Sequence, residues 1–84
     1  MTPVVTLYGR ARCHLCDEAE SILAALRGEH GFRFTIEKVD ISTDRALTEQ
    51  YDWAIPVITC NGRELARAPI RRDALEDALR AALH

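Results

Sequence analysis

Cys13 and Cys16 are thiols separated by two residues, a spacing that lets both take part in one reaction. They stand where an apolar run, Val4 to Tyr8, gives way to a helical pattern, so we expect them at the start of a helix. Free backbone N–H groups and the positive end of the helix dipole favour an anion there, so the Cys13 thiol should ionise more readily than free cysteine. Cys16 would then attack a mixed disulfide formed at Cys13. The pattern predicts dithiol exchange.

Ionisable side chains flank the two cysteines, namely Arg10, Arg12, His14, Asp17 and Glu18. The cations favour a thiolate at Cys13, whereas the carboxylates favour the helix but oppose a second anion beside it. We expect Arg12 and His14 to contact a substrate, because both adjoin Cys13 in the chain.

Two other interpretations of the cysteine pair stay open. A C-x-x-C spacing also supplies half of a zinc site, and His14 is a possible third ligand, but a metal or iron–sulfur site would need Cys60 or a second subunit as well. The chain could also be an interaction module in which the cysteines are incidental. The position between a strand and a helix favours redox chemistry over both.

Composition limits the class of protein. With 84 residues, 48% of them hydrophobic, the chain should form one domain over 1–84 with a packed core. Eleven basic and thirteen acidic residues give a net charge of -2, which indicates neither a nucleic-acid nor a membrane partner. Three cysteines are too few for a secreted disulfide framework, and no signal-peptide or membrane-span pattern occurs, so we expect a cytoplasmic protein. Cys60 is expected to be a packing residue.

The periodicity of apolar residues predicts the remaining elements. After the first strand we expect a helix at 14–27, a strand beginning near Phe32, a helix at about 43–51, a hairpin turning at Asn61-Gly62, and a last helix just after Pro69. The fold class is therefore α/β, with the order β-α-β-α-β-β-α. It has a four-stranded mixed sheet, made of a parallel pair and an antiparallel hairpin, with helices on both faces.

Taken together, the cysteine motif Cys13-His14-Leu15-Cys16, the Ile55-Pro56-Val57 segment and the element order resemble the thioredoxin fold, in its short glutaredoxin-like branch. The resemblance implies a thiol–disulfide oxidoreductase with Cys13 as nucleophile and Cys16 as resolving thiol. It also implies a cis-proline at Pro56, facing the dithiol, and an Ile55 whose backbone N–H and C=O pair with a substrate chain.

The same resemblance implies the partners. These are a disulfide-containing protein or glutathione as substrate or co-substrate, and a thiol reductant or reductase, with no tightly bound cofactor, for a protein that we expect to be a monomer. Three positions depart from the glutaredoxin pattern. His14-Leu15 separates the cysteines instead of Pro-Tyr, Ile55 replaces the usual threonine, and Leu65 to Pro69 stands where glutaredoxins have a Gly-Gly pair and an acidic cluster.

Several side chains have positions predicted from sequence context alone. Trp53 is a candidate for the rim of the site, although packing elsewhere remains the alternative. His30 and His84 are expected at the surface without partners. Arg71 and Arg72 are expected to be solvated in the first turn of the last helix, with Asp73 and Glu76 as counter-charges, the alternative being contact with an acidic partner.

Overall fold

The computed structural model describes residues 1–83, so His84 lies outside the described residues. The elements are β1 (Val4–Gly9), α1 (His14–His30), β2 (Thr35–Asp40), a 3-10 turn (Ile41–Thr43), α2 (Arg45–Tyr51), β3 (Val57–Cys60), β4 (Arg63–Arg67) and α3 (Arg72–Leu83). This order confirms the predicted α/β fold.

The sheet has the strand order β2-β1-β3-β4, with β1 parallel to β2 and antiparallel to β3. The register places Tyr8, near the end of β1, opposite Val57, the first residue of β3. Because Pro56 immediately precedes Val57, this pairing brings the segment that follows β1 to the same edge of the sheet as the proline.

Helices cover both faces of the sheet, as predicted. On one face, side chains of β1 and β3 pack with α1 and α3 in the main core, whose members are Val5, Leu7, Ala19, Leu23, Leu26, Phe34, Ile58, Cys60, Leu75 and Leu79. On the other face, Tyr8 stacks against Tyr51 of α2, with ring centroids 4.8 Å apart. From Val5 to Tyr8, side chains of β1 alternate between buried and half-buried, since α1 and α3 cover their face more completely than α2 covers the other.

Three element bounds differ from the predicted ones. α1 continues through Gly28 to His30 and ends at Gly31, which has a φ of 67° and donates its N–H to the carbonyl of Arg27 at 3.0 Å. β2 begins at Thr35, after Phe34 has turned into the core. α3 begins at Arg72 rather than directly after Pro69.

Ion pairs join the end of α1 to α3 and correct two expectations. His30 is not partnerless, because its Nε2 lies 3.2 Å from Oε1 of Glu76. Arg72 pairs with Glu29 at 2.6 Å rather than with Asp73 or Glu76. Both pairs connect helices that are distant in sequence and become neighbours only after folding.

Asp40 ends β2 and caps the 3-10 turn that follows. Its Oδ1 accepts hydrogen bonds from the hydroxyl of Ser42 at 2.6 Å and from the backbone N–H of Ser42 at 2.9 Å. These bonds, the hydroxyl first, lower the pKa of Asp40 below its usual value, and the guanidinium of Arg10 adds to the effect.

A lowered pKa in the folded state makes a stabilising contribution that is present above the unfolded pKa and is lost as pH falls through the folded pKa. We therefore predict that Asp40→Asn is less stable than wild type at neutral pH, and that the difference shrinks below about pH 4. Urea denaturation at several pH values measures this. The control is Asp77→Asn, since the carboxylate of Asp77 makes no hydrogen bond or ion pair within residues 1–83. A difference that stays constant down to about pH 2 would contradict the prediction.

Candidate active site

Cys13 and Cys16 form a disulfide at the start of α1, with Cα atoms 5.2 Å apart. Cys13 is the N-cap residue and is half-buried, whereas Cys16 is only 7% exposed. The backbone N–H of Cys16 donates to Sγ of Cys13 at 3.2 Å. The sulfur of Cys13 therefore lies at the N-terminus of the helix, where the sequence places it, and is the more accessible of the two.

Gly9, the last residue of β1, makes room for Cys16. A Cβ atom at Gly9 would lie 2.8 Å from Sγ and 3.1 Å from Cβ of Cys16, closer than packed atoms normally approach. The sequence analysis did not identify this role, because the end of a strand is in any case a common place for glycine. The signal that could have found it is the buried thiol on the first turn of the helix that follows.

The Ile55–Pro56 peptide bond is cis, and Pro56 is fully buried beside the start of β3. The backbone N–H of Ile55 donates to the carbonyl of Tyr51 at 3.1 Å, because the chain after α2 continues in tight turns. That N–H, which the family resemblance assigns to a substrate, is therefore already bonded within the chain. The carbonyl of Ile55 accepts no hydrogen bond from residues 1–83.

The charged residues near the dithiol differ in their partners. Arg10 forms an ion pair with Asp52, which follows α2, so its charge is already partnered. Arg12 is exposed, has a φ of 60°, and makes no ion pair with any residue in the described range 1–83. His14 is 85% exposed, with Nε2 3.2 Å from Oε1 of Glu18. Arg12 is thus the unpaired cation next to Cys13.

Two depressions lie beside the first turns of α1. One, of about 260 Å³, lies at the ends of β1 and β2 and is lined in part by Gly9, Arg12, Cys16 and Asp40. The other, which we name the Pro56 groove, has a volume of about 150 Å³ and separates α1 from the segment after β4. Its lining includes Leu15, Glu18, Ile22, Pro56, Pro69 and Ile70.

Trp53 lies two residues before Ile55, and its side chain is exposed (76%). The guanidinium carbon of Arg67 lies 5.1 Å from the centre of its ring, and Arg67 is also held by two hydrogen bonds to Glu64. The contact that the structure shows for this ring is therefore a cation–π contact with β4.

Cys60 is buried in the main core, as predicted for a packing residue. It pairs with Val5, at the end of the sheet opposite Gly9, so it cannot join Cys13 and Cys16 as a ligand within one chain. Over residues 1–83 no three side chains of His, Cys, Asp or Glu are grouped to hold a metal ion. In the same range no helix is long and apolar enough to span a membrane.

Residues 4–80 match the family described as Glutaredoxin-like domain (DUF836). This chain belongs to that glutaredoxin-like family.

Solved structures agree with this assignment. Protein XcR50 from X. campestris, solved by X-ray, has 37% sequence identity to this chain. The match covers 93% of this chain and 97% of XcR50, with a TM-score of 0.79. Protein Ne2328 from Nitrosomonas europaea is 26% identical over 92% and 91% of the two chains, with a TM-score of 0.78. A mutant thioredoxin from Halobacterium salinarum shares the fold, at 19% identity over 99% and 76% of the two chains, with a TM-score of 0.66.

We predict that Gly9→Ala destabilises the protein by about 1–3 kcal/mol, the usual cost of overpacking a filled core, because the new Cβ collides with Cys16. The variant should also form the Cys13–Cys16 disulfide more slowly. Gly28→Ala is the matched control, since Gly28 lies inside α1 and a Cβ atom there would meet nothing within 4 Å. It should stabilise by about 0.5–1 kcal/mol. Denaturant unfolding of both variants measures the difference, and equal stability would contradict the role of Gly9.

Proposed function

We propose that this protein is a thiol–disulfide oxidoreductase that reduces protein disulfides or glutathione mixed disulfides through Cys13 and Cys16. The observation that carries the proposal is the disulfide between an accessible N-cap Cys13 and a buried Cys16. Pro56, whose buried ring lies at the same edge of the sheet, supports it. We further propose that the protein works in the cytoplasm as a monomer.

The reaction starts from the reduced dithiol. The Cys13 thiolate attacks one sulfur of the substrate disulfide, so that a Cys13–substrate bond forms and the other substrate sulfur leaves as a thiolate and takes up a proton. Cys16 then loses its proton and attacks Sγ of Cys13, which releases the second substrate thiol. Two electrons and two protons pass to the substrate, and the protein is left as the Cys13–Cys16 disulfide. A thiol reductant, either glutathione or the dithiol of a reductase, restores the starting state.

The unequal exposure of the two sulfurs assigns their roles. A substrate disulfide can approach half-buried Cys13, whereas Cys16 is shielded by Gly9 and the start of α1. The N–H of Cys16, which faces Sγ of Cys13 in the disulfide, is placed to donate to the thiolate in the reduced protein. Arg12 adds a nearby positive charge without a competing partner in residues 1–83.

We predict that Cys16→Ser accumulates a stable mixed disulfide at Cys13 when mixed with a substrate disulfide, because the second attack is removed. Cys13→Ser should form no such adduct at position 16, since that side chain is shielded. Mass spectrometry after acid quenching measures both adducts. Cys60→Ala is the control and should react as wild type does, because Cys60 is at the far end of the sheet.

Alkylation kinetics supply the complementary test. Reduced Cys13 should react with iodoacetamide at neutral pH about tenfold or more faster than free cysteine, whose pKa is about 8.5. An equal rate, together with no adduct in Cys16→Ser, would contradict the enzyme proposal and favour an interaction module. Metal bound to protein purified under anaerobic conditions would favour a metal site instead.

A further inference from the structure

Cys16 has to lose a proton in the proposed reaction, although its side chain is only 7% exposed. The attacking species is a thiolate, and burial disfavours a charged sulfur. Asp17, the next residue, carries a negative charge that further opposes a lasting thiolate at Cys16. The proton therefore leaves while Cys16 attacks, and this requires an acceptor within reach of the sulfur.

The depression of about 260 Å³ at the ends of β1 and β2 is lined by Cys16, and we name it the Cys16 pocket. The charged residues on its wall are Arg10, Arg12, Asp17, Lys38 and Asp40. A space of this size holds several water molecules, since one water takes up about 30 Å³ in the liquid. A proton can therefore pass through water from Cys16 to a group on the wall.

Most of the charged residues on the wall are poor proton acceptors. Arg10, Arg12 and Lys38 are cations, and the ammonium of Lys38 lies 3.1 Å from Oε1 of Glu20. Asp40 is a carboxylate, but its Oδ1 already accepts hydrogen bonds from a hydroxyl and an N–H of the 3-10 turn. These bonds lower the pKa of Asp40, so its carboxylate is a weaker base.

Asp17 is the remaining carboxylate of the Cys16 pocket. It is exposed, and within residues 1–83 its side chain makes no hydrogen bond or ion pair. Its backbone N–H donates to the carbonyl of Cys13 at 3.1 Å, which fixes it in the first turn of α1, directly after Cys16. The neighbouring His14 and Glu18 are paired with each other at 3.2 Å. The carboxylate of Asp17 is therefore available to the pocket.

We propose that Asp17 accepts the proton of Cys16 when Cys16 resolves the mixed disulfide at Cys13. The inference rests on the proposed oxidoreductase function and assigns a residue to its second step. The proton passes from Sγ of Cys16 through water in the pocket to a carboxylate oxygen of Asp17.

The step balances without any further reactant. The bond between the sulfurs of Cys16 and Cys13 forms, and the bond from Cys13 to the substrate sulfur breaks. The electron pair of the broken bond leaves with the substrate sulfur as a thiolate, which takes a proton from solvent. Asp17 then returns the proton of Cys16 to solvent, so the carboxylate is regenerated.

The test follows both steps with dithiobis(nitrobenzoate), a disulfide that releases the coloured thiolate thionitrobenzoate. With equimolar reagent, attack by Cys13 releases the first thionitrobenzoate, and attack by Cys16 on the mixed disulfide releases the second. Stopped-flow absorbance between about pH 5.5 and 7.5, where aspartate is ionised, gives a rate for each step. The parent protein and all variants carry Cys60→Ala, so that the core thiol does not contribute.

We expect the second rate of the parent to vary by less than about threefold over this range, because the acceptor stays ionised. Asp17→Asn should lower the second rate about tenfold or more at about pH 6. The remaining rate should rise about tenfold per pH unit, since only the Cys16 thiolate then reacts. Asp17→Glu should restore most of the parent rate. In both variants the first rate should change by less than about threefold.

Glu18→Gln and Asp40→Asn are the matched controls. Glu18 is the acidic neighbour of Asp17 but does not line the Cys16 pocket, whereas Asp40 lines the pocket with a carboxylate that is already bonded. Both controls should keep a second rate that depends little on pH. Titration of His14 would affect the parent as well, so it does not produce a difference confined to Asp17→Asn.

The outcomes separate the two proposals. If the parent never releases the second thionitrobenzoate, the oxidoreductase function fails and the role of Asp17 fails with it. If the second is released but Asp17→Asn is as fast as the parent or faster, the function stands and the role of Asp17 is overturned. A faster rate is the result expected if Asp17 acts only through its negative charge. An equal loss in either control also overturns the assignment to Asp17.

Discussion

The antiparallel pairing of β1 with β3 is the constraint on which the site depends. Because Tyr8 is opposite Val57, the chain that leaves β1 and the chain that enters β3 meet at one edge of the sheet. The first continues through Gly9 into the dithiol, and the second begins at Pro56. A shift of one residue in this register would move Pro56 along the strand and turn the side chains of β3 to the opposite faces of the sheet.

Packing around that edge leaves one sulfur accessible and buries the other. Gly9 has no side chain, which allows Cys16 to sit against the end of β1, and Cys13 remains at the N-terminus of the helix. Exposed ion pairs contribute little free energy individually, but they determine which charges remain near the dithiol. The pairing of Arg10 with Asp52 leaves Arg12 as the cation beside Cys13, and Glu18, the partner of His14, lines the Pro56 groove.

The sequence was informative where the structural signal is local. The Asn61-Gly62 dipeptide predicted a tight hairpin, and both residues have positive φ values, 53° and 80°. The change from a strand to a helical period placed Cys13 at a helix start. Both signals lie within a few neighbouring residues, which is why the order of elements could be predicted almost completely.

Contacts between distant segments were beyond the reach of the sequence. Arg10 pairs with a residue 42 positions away, and Arg72 with one 43 positions away. The contact of Gly9 with the side chain of Cys16 depends on how β1 and α1 pack. The hydrogen bond from the Ile55 N–H to the carbonyl of Tyr51 depends on how the chain turns after α2. For this reason the candidate residues were identified from sequence, whereas their accessibility and their available hydrogen-bonding groups were not.

The central claim is that Cys13 and Cys16 act as one two-electron couple, and a redox titration tests it most directly. The protein would be equilibrated in buffers with graded ratios of reduced to oxidised glutathione, quenched with acid and alkylated, and its species counted by mass spectrometry. The account predicts one two-electron transition between the dithiol and the Cys13–Cys16 disulfide, with Cys60 unchanged. Two thiols that are glutathionylated independently, with no intramolecular disulfide at any ratio, would contradict it.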